Sequence, residues 1–538
     1  MAPSELLATA MRLLASGAWH EAETAARAAM ADTADDMAAS LLAGLAVAAM
    51  GEDARAAPIL THIAAARPDA DHPCVELARL EPPLPRALVA RQFRACLRLA
   101  PDDDRLRLAF ADFLLDTDQA PEAEVILAEA ILVDGPYTAA ARHLMGMART
   151  EQAAFPDAID SFQSAVSLNP DAGASWSNLG MVLKVEGRFA DAVAAHEKAV
   201  TLDPRNPQFR VNRAVALLQA GQWERAWQDY EARFELTDMP AIGLLRLMPS
   251  LRPGDSLAGL TILALHEDGF GDTLQFLRYL PLLAERGARV VAYVPLSLAR
   301  VMRGVPGVAG VVTDARHLPA HDFVCPMFSL PRIFGTTVLT IPPVPAAAMD
   351  PALVRHWAGR LPHGGLRAGL VWAGQARPSL AGFTTLDRRR SAGLAAFQPL
   401  LDVAGVSFVS LQAGTPARQP WPRGLEMVDL MPEVADFADT AAIIAGLDVV
   451  ISVDTSVVHL AGLVGKPVFL LDRYDGCWRW LSGRLDSPWY PGLTIFRQQQ
   501  PDDWSGAMAK AAISLRAMAI SHGFSTMSGR PREHRSVA

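Results

Sequence analysis

Two patterns of apolar residues divide this chain. From the start to about residue 236, alanine and leucine recur with helical periodicity, and the segments realign at a spacing of roughly 34 residues. From Leu260 onward the apolar residues gather into short runs separated by amphipathic stretches. The first four are Thr261 to Leu265, Arg289 to Val294, Gly310 to Val312 and Asp322 to Cys325. A Pro- and Ala-rich stretch, Thr340 to Leu361, reads as a linker. The alternation then restarts with Ala368 to Trp372, Val406 to Leu411, Val449 to Val453 and Val468 to Leu471. Runs of this length, alternating with helical patterns, predict buried parallel strands joined by crossover helices. The expected organisation is a helical solenoid over 1–236 and two Rossmann-like α/β domains, 258–350 and 366–520, facing one cleft. The tail, 521–538, is rich in Ser, Arg and His and is expected to be disordered.

In the first half, the clearest unit runs from Ala172 to Pro204 and carries Trp176, Leu179, Gly180, Leu183, Ala192, Ala199 and Pro204. The unit before it repeats Gly146, Ala158, Phe162, Ala165 and Pro170; weaker units hold Gly44, Ala56 and Pro68, then Ala123, Leu127 and Ala130, and a later one Leu217, Ala226 and Tyr230. Small residues let the two helices of a hairpin approach, and proline ends the second helix. Each hairpin buries its apolar face on the next, so several are needed together. This spacing resembles that of tetratricopeptide repeats, with about six units, and implies a concave surface for a protein partner. The Asp102 to Asp104 run falls between repeats, where a solvated helix start outweighs a metal site.

The stretch Leu447 to Asp472 is the most informative in the second half. The strand Val449 to Val453 ends at Asp454, and Thr455 and Ser456 can cap the helix that follows. A carboxylate beside free helix N–H groups, at the carboxyl edge of a parallel sheet, suits a phosphorylated ligand. His459, one turn into that helix, is either a packing residue or a site residue. The turn Gly269-Phe270-Gly271-Asp272 follows the first strand and lacks the third glycine of a dinucleotide fingerprint. Asp272 as N-cap, with Gln275 three residues on, makes a capping box; at this edge the same carboxylate can serve as a general base.

Further candidates follow the later strands. Arg388, Arg389 and Arg390, after the strand end Trp372-Ala373-Gly374, could neutralise a diphosphate. Gln412 could meet a nucleoside. Trp478, Arg479 and Trp480 lie beyond the Leu471 strand end and could stack on a base or anchor the core.

Composition narrows the class. Of 538 residues, 51% are apolar and 20% charged, which fits globular domains with large cores. A net charge of −9 argues against a nucleic-acid partner. Cys74, Cys96, Cys325 and Cys477 lie far apart with no CxxC pair, so spacing signals neither a zinc site nor a disulfide framework; that suits a cytoplasmic setting. The N-terminus lacks a basic region and is not read as a signal peptide, and the longest early uncharged run, Ala38 to Gly51, is too short to span a membrane. No GxSxG, P-loop or HExxH motif supports a hydrolase or nucleotide triphosphatase.

Taken together, Gly271-Asp272 and Asp454-Thr455-Ser456 with His459 resemble a GT-B glycosyltransferase of the heptosyltransferase-like family 9, over roughly Ala258 to Ile520. The fold order, repeats and then GT-B, is similar to that of protein O-GlcNAc transferases in architecture. The resemblance implies Asp272 as catalytic base. It implies Asp454, Thr455, Ser456, Val457 and His459, with Arg389, Arg390 and Gln412, as donor-binding, and Gly271, Trp372, Gly374, Trp478 and Arg479 as cleft residues. Ser456 stands where the family has glycine, and the family's phosphate-binding lysine has no clear counterpart, Arg389 or Arg390 being nearest. The implied reaction is inverting transfer from a nucleotide-sugar to a glycan or protein acceptor, with no cofactor and no essential metal. The chain would work in the cytoplasm, with a peripheral place at the inner membrane face also compatible. The rival reading is a repeat scaffold with a degenerate, non-catalytic sugar-nucleotide-binding domain.

Overall fold

The computed structural model describes residues 3–30, 37–131, 135–236, 246–375, 387–422 and 425–528. Fourteen helices succeed one another up to Tyr230. They are α1 (Pro3–Ala15), α2 (Trp19–Met30), α3 (Met37–Ala49), α4 (Asp53–Ala66), α5 (Pro73–Ala78), α6 (Arg86–Leu99), α7 (Asp104–Asp116) and α8 (Ala120–Ala130), then α9 (Thr138–Glu151), α10 (Phe155–Leu168), α11 (Gly173–Val185), α12 (Phe189–Leu202), α13 (Pro207–Gln219) and α14 (Trp223–Tyr230). That makes seven successive pairs among the described residues, one more than the sequence suggests; no repeat residues mark the stretch that holds the short α5 and α6.

Local chemistry starts these helices. The Asp103 carboxylate accepts from the Arg105 and Leu106 N–H groups at 3.0 and 3.1 Å, so the acidic run is a helix cap. Asn206 caps α13, with Pro207 in its first turn. Small residues set the spacing within a pair: a Cβ on Gly146 would lie 2.7 Å from the Phe162 ring. A side chain at position 146 would push against the Phe162 ring and widen the α9–α10 spacing.

The chain forms two compact units, Met1–Glu186 with Ala194–Asp203, and Gly187–Val193 with Pro204–Ala538. In the first, an aliphatic and alanine core is filled out by Phe93 and Phe110, stacked at 5.1 Å. The second unit holds α13 and α14 together with two parallel sheets.

The division therefore falls earlier than residue 236. The reason is aromatic packing. Trp223 stacks on Trp489 at 5.7 Å, Trp227 meets Trp478 edge-on at 5.6 Å, and the Trp227 indole N–H donates to the Thr336 carbonyl at 2.8 Å. Just beyond α14, the buried Arg233 makes two 3.0 Å bonds to the Glu267 carboxylate and one of 2.8 Å to Ser329.

The first sheet runs β3-β2-β1-β4, from β1 (Thr261–Leu265), β2 (Arg289–Tyr293), β3 (Val308–Val312) and β4 (Phe323–Pro326). The second runs β10-β9-β8-β5-β6-β7, from β5 (Leu366–Val371), β6 (Val406–Ser410), β7 (Met427–Asp429), β8 (Val449–Val453), β9 (Val468–Asp472) and β10 (Leu493–Arg497). All pairings between these strands are parallel. In each sheet the first strand lies inside and the chain winds outward both ways. The direction switches between β1 and β4, and again between β5 and β8, and such switch points open a crevice at the strands' carboxyl ends.

Eight strands lie where the apolar runs place them; β7 and β10 were not read. The linker contains a helix, Pro351–Ala358, begun by an Asp350 cap and Pro351. The last helix, Ser505–Ser528, packs Met508, Ala511 and Leu515 into the second sheet's core. It continues through the first part of the expected tail, and 529–538 lie outside the described residues. No described helix is long and apolar enough to cross a membrane.

Candidate functional site at the sheet edges

The second sheet's switch point brings Asp454, at the end of β8, beside a helix that starts at Ser456 (Ser456–Val464). From the first sheet, the helix Phe270–Phe276 follows β1. The two helix starts touch: a Cβ on Gly271 would lie 2.9 Å from the His459 ring and 3.4 Å from the Ser456 Cα. Gly271 is therefore the residue that lets these backbones approach.

Asp272 is the third residue of its helix, not the cap. Gly269 occupies the cap position, and the Asp272 carboxylate reaches back to its N–H at 3.0 Å. Gln275 instead accepts from Arg479 at 2.7 Å. Asp268, just before, holds a left-handed φ of 58°, which aspartate tolerates better than most residues. The other Asp272 oxygen is paired with Arg479. Burial pushes the Asp272 carboxyl above its usual range, against the pull of Arg479, and Asp268 and Asp454 add to the rise. Arg479 also donates to Cys477 Sγ at 3.0 Å and lies over the Trp478 and Phe328 rings at 4.6 and 5.4 Å. Burial opposes its charge, and Asp272 and Cys477 more than restore it.

Three residues at and just beyond the end of β9 that sequence reasoning missed join this edge. Asp472 is fully buried, with one oxygen 2.7 Å from Arg497 Nε and the other without a hydrogen-bond partner. Burial pushes its carboxyl up to about 6, Arg497 opposes, and Asp454 adds to the rise. Asp475 holds Arg473 Nε at 2.8 Å and Arg389 at 3.6 Å, so two cations from separate parts of the chain share one carboxylate. Asp454 lies close enough to favour the charge of Arg473. The available signal was the strand end Leu471 itself, whose next five residues hold three charges.

Other candidates have structural duties. The buried Gln412 accepts from the Trp372 and Ala373 N–H groups at 2.9 Å each and donates to two carbonyls at 3.0 Å, which commits its amide to tying β5 to β6. Trp372 is fully buried in the second sheet's core. Gly374 is covered by the Arg390 guanidinium, which pairs with Asp387 at 2.8 Å and donates to the Gln375 carbonyl at 3.0 Å. Trp478 sits in the aromatic cluster with Trp223, Trp227 and Trp489. His459 bonds the Tyr490 hydroxyl at 2.9 Å and stacks on Trp480; burial holds it neutral, well below its usual pKa. Thr455 occupies the cap position, but its hydroxyl meets Ser452 at 3.1 Å instead of capping, and Val457 is buried. Asp454, Thr455, Ser456, Asp272, Arg479 and Arg389 thus remain at or near the edge; Gln412, Trp372, Gly374, Trp478 and His459 are withdrawn from it by packing.

Among known proteins, two tetratricopeptide-repeat family models match residues 143–199 and 185–228. Protein FlbA of Caulobacter vibrioides (strain ATCC 19089 / CIP 103742 / CB 15) is 27% identical over 359 residues, which are 57% of this chain. The chain spans about half, 55%, of that relative's length. Two solved structures to which part of the chain is similar are MamA (21% identity, 28% of this chain and 87% of that one, TM-score 0.26) and PilW, a type IV pilus biogenesis factor (14%, 44% and 93%, TM-score 0.28). The chain carries tetratricopeptide repeats followed by two parallel α/β sheets, and repeats of this kind fit a protein partner.

Proposed function

We propose that the chain is a glycosyltransferase of the GT-B class, similar to the heptosyltransferase-like family 9. It moves a sugar from a nucleotide-sugar to a glycan or protein acceptor held by the repeats. The observation that carries the reading is the switch point of the second sheet: Asp454, the start of the helix Ser456–Val464 and the Arg473–Asp475–Arg389 cluster share one edge, opposite Asp272 from the first sheet.

In this reading the helix N–H groups and the two arginines meet the diphosphate, and Asp454 accepts from sugar hydroxyls. The acceptor hydroxyl attacks the anomeric carbon as the bond to the diphosphate oxygen breaks, inverting the centre. Its proton passes to Asp272, then to solvent, and the nucleoside diphosphate leaves as an anion stabilised by the fixed cations. These cations supply the field that a divalent metal supplies elsewhere, so transfer proceeds in excess chelator. The acceptor must first draw Asp272 away from Arg479.

That ion pair favours a second reading. A carboxylate already satisfied by Arg479 and the Gly269 N–H also suits a non-catalytic sugar-nucleotide-binding unit on a repeat scaffold.

The test is Asp272→Asn, with turnover and donor affinity measured on one preparation after a nucleotide-sugar screen. The enzyme reading expects turnover to fall about 10²–10⁴-fold with donor binding retained. Turnover at the wild-type rate removes Asp272 from the chemistry; donor binding without turnover in the wild-type chain supports the scaffold.

A further inference from the structure

Far along the sequence from these edges, the first unit gathers a set of soft ligands. Cys74 and Cys96 are 22 residues apart, yet their sulfurs lie 3.6 Å from each other. His72 occupies the cap of α5, its Nδ1 accepting from the Cys74 N–H at 3.2 Å. One ligand atom from each of the three lies within 4.8 Å of the others. Both cysteines are fully buried, and His72 is 4% exposed. His72 Nε2 and Gln92 Oε1 are buried without a hydrogen-bond partner, while Gln92 Nε2 lies 3.6 Å from the Cys96 sulfur.

Two core cysteines can pack as small apolar residues. That explanation leaves an imidazole nitrogen and an amide oxygen buried beside them and unpaired, and buried polar atoms are rarely left so. A metal ion on Nε2 pairs that nitrogen, with the ring proton moving to Nδ1 as the Cys74 N–H contact is given up, and engages both sulfurs at the same time.

We propose that His72, Cys74 and Cys96 bind one zinc ion, which fastens the short helix α5 to α6. Zinc–sulfur bonds of about 2.3 Å at a tetrahedral angle set two sulfurs roughly 3.8 Å apart, so the cysteines are already near ligand spacing. Each thiol gives its proton to solvent as its sulfur bonds the metal. Two thiolates, a neutral imidazole and Zn²⁺ sum to zero charge, which an apolar core tolerates where a net charge is costly. Thiolate and imidazole ligands select zinc over magnesium or calcium. The Gln92 amide oxygen completes four-coordination by turning over about its terminal bond.

The experiment uses the full chain, reduced and stripped with chelator, then titrated with Co²⁺ as a spectroscopic probe and with Zn²⁺. The expected result is one Co²⁺ per chain with thiolate-to-cobalt charge-transfer absorption, displaced by Zn²⁺, and protection of Cys74 and Cys96 from alkylation by Zn²⁺, read by mass spectrometry. Cys96→Ser and His72→Asn, the latter keeping a capping oxygen, are expected to weaken Zn²⁺ binding at least about tenfold, since even outer-shell changes can cost that much. Circular dichroism confirms that each variant is folded. Should both variants unfold, the alkylation readout on the wild-type chain decides alone. Absence of the charge-transfer bands, their persistence in a Cys74→Ala/Cys96→Ala chain, or air oxidation to a Cys74–Cys96 disulfide without metal uptake would overturn the proposal.

Discussion

Two helix pairs with related sequence patterns have different fates. The α9–α10 pair sits within the repeat unit and is spaced by a glycine against an aromatic ring, Gly146 against Phe162. The α13–α14 pair keeps the small residue at Ala226 but presents Trp223, Trp227 and Tyr230, and these are absorbed into the α/β unit. A repeat pattern thus specifies a helical pair; the side chains on its outer faces decide what that pair belongs to. In the repeat unit a pair can rely on its neighbours in the chain, whereas the last pair relies on residues more than a hundred positions away.

The largest test of that contrast is truncation. A chain beginning at residue 246 lacks α13 and α14 and strands Trp478, Trp489 and Phe328 without their partners. It is expected to be insoluble or to unfold without cooperativity, and a chain beginning at Pro204 to give one cooperative transition. Equal melting curves for the two would return the boundary to residue 236.

Smaller, but still large, is Trp227→Ala. Removing a buried indole costs about 3–5 kcal/mol. The loss belongs in the transition of the α/β unit, followed by Trp fluorescence in urea. A loss confined to the repeat transition would break the comparison.

The fully buried Asp472 belongs to the α/β unit. The Asp472 carboxyl titrates near 6 in the fold against roughly 3.9 in the unfolded chain. Between those values the fold holds a proton that the unfolded chain releases, so this group's stabilisation is complete below about pH 4 and declines as pH rises through 6, by on the order of 3 kcal/mol. Asp472→Asn removes that slope. The variant should gain on the wild type as urea midpoints are taken from about pH 4 up to about pH 7. A constant difference across that range would contradict the assignment.

The smallest effect is expected at Gly146→Ala. The new methyl meets the Phe162 ring at 2.7 Å, and overpacking of this kind costs about 1–3 kcal/mol. Only the repeat transition should move; a shift in the α/β transition would mean that the two units do not melt separately.

Much of the fold was legible because both of its signals are local. Eight of the ten strands were read as apolar runs bounded by turn residues, since a buried parallel strand must be apolar on both faces. β7, three residues long, and β10, which follows Pro491 and Gly492 and ends in Arg497, are edge strands whose runs are too short or too polar to stand out. At the site, Asp454 was legible because it follows a strand end directly, and Asp272 because it lies in the Gly-rich turn into the helix after β1. Asp472, Arg473 and Asp475 lie at or just beyond a strand end too, but the indoles after them drew the reading toward stacking. Gln412 looked like a ligand contact because nothing local reveals that four backbone groups surround it.

The sequence by itself determined the periodicities. A spacing near 34 residues commits the first half to helical pairs, and apolar runs between helical stretches commit the second to parallel sheets, because each pattern buries its apolar face in only one kind of neighbour. Tertiary structure alone decided which pairs of distant residues meet. It turned Trp478 into a core residue, paired Asp272 with Arg479, and brought Cys74 to 3.6 Å from Cys96. Those outcomes depend on contacts between residues far apart in the chain, and the energy of such a contact is fixed by the shape and burial of both partners, which no local pattern records.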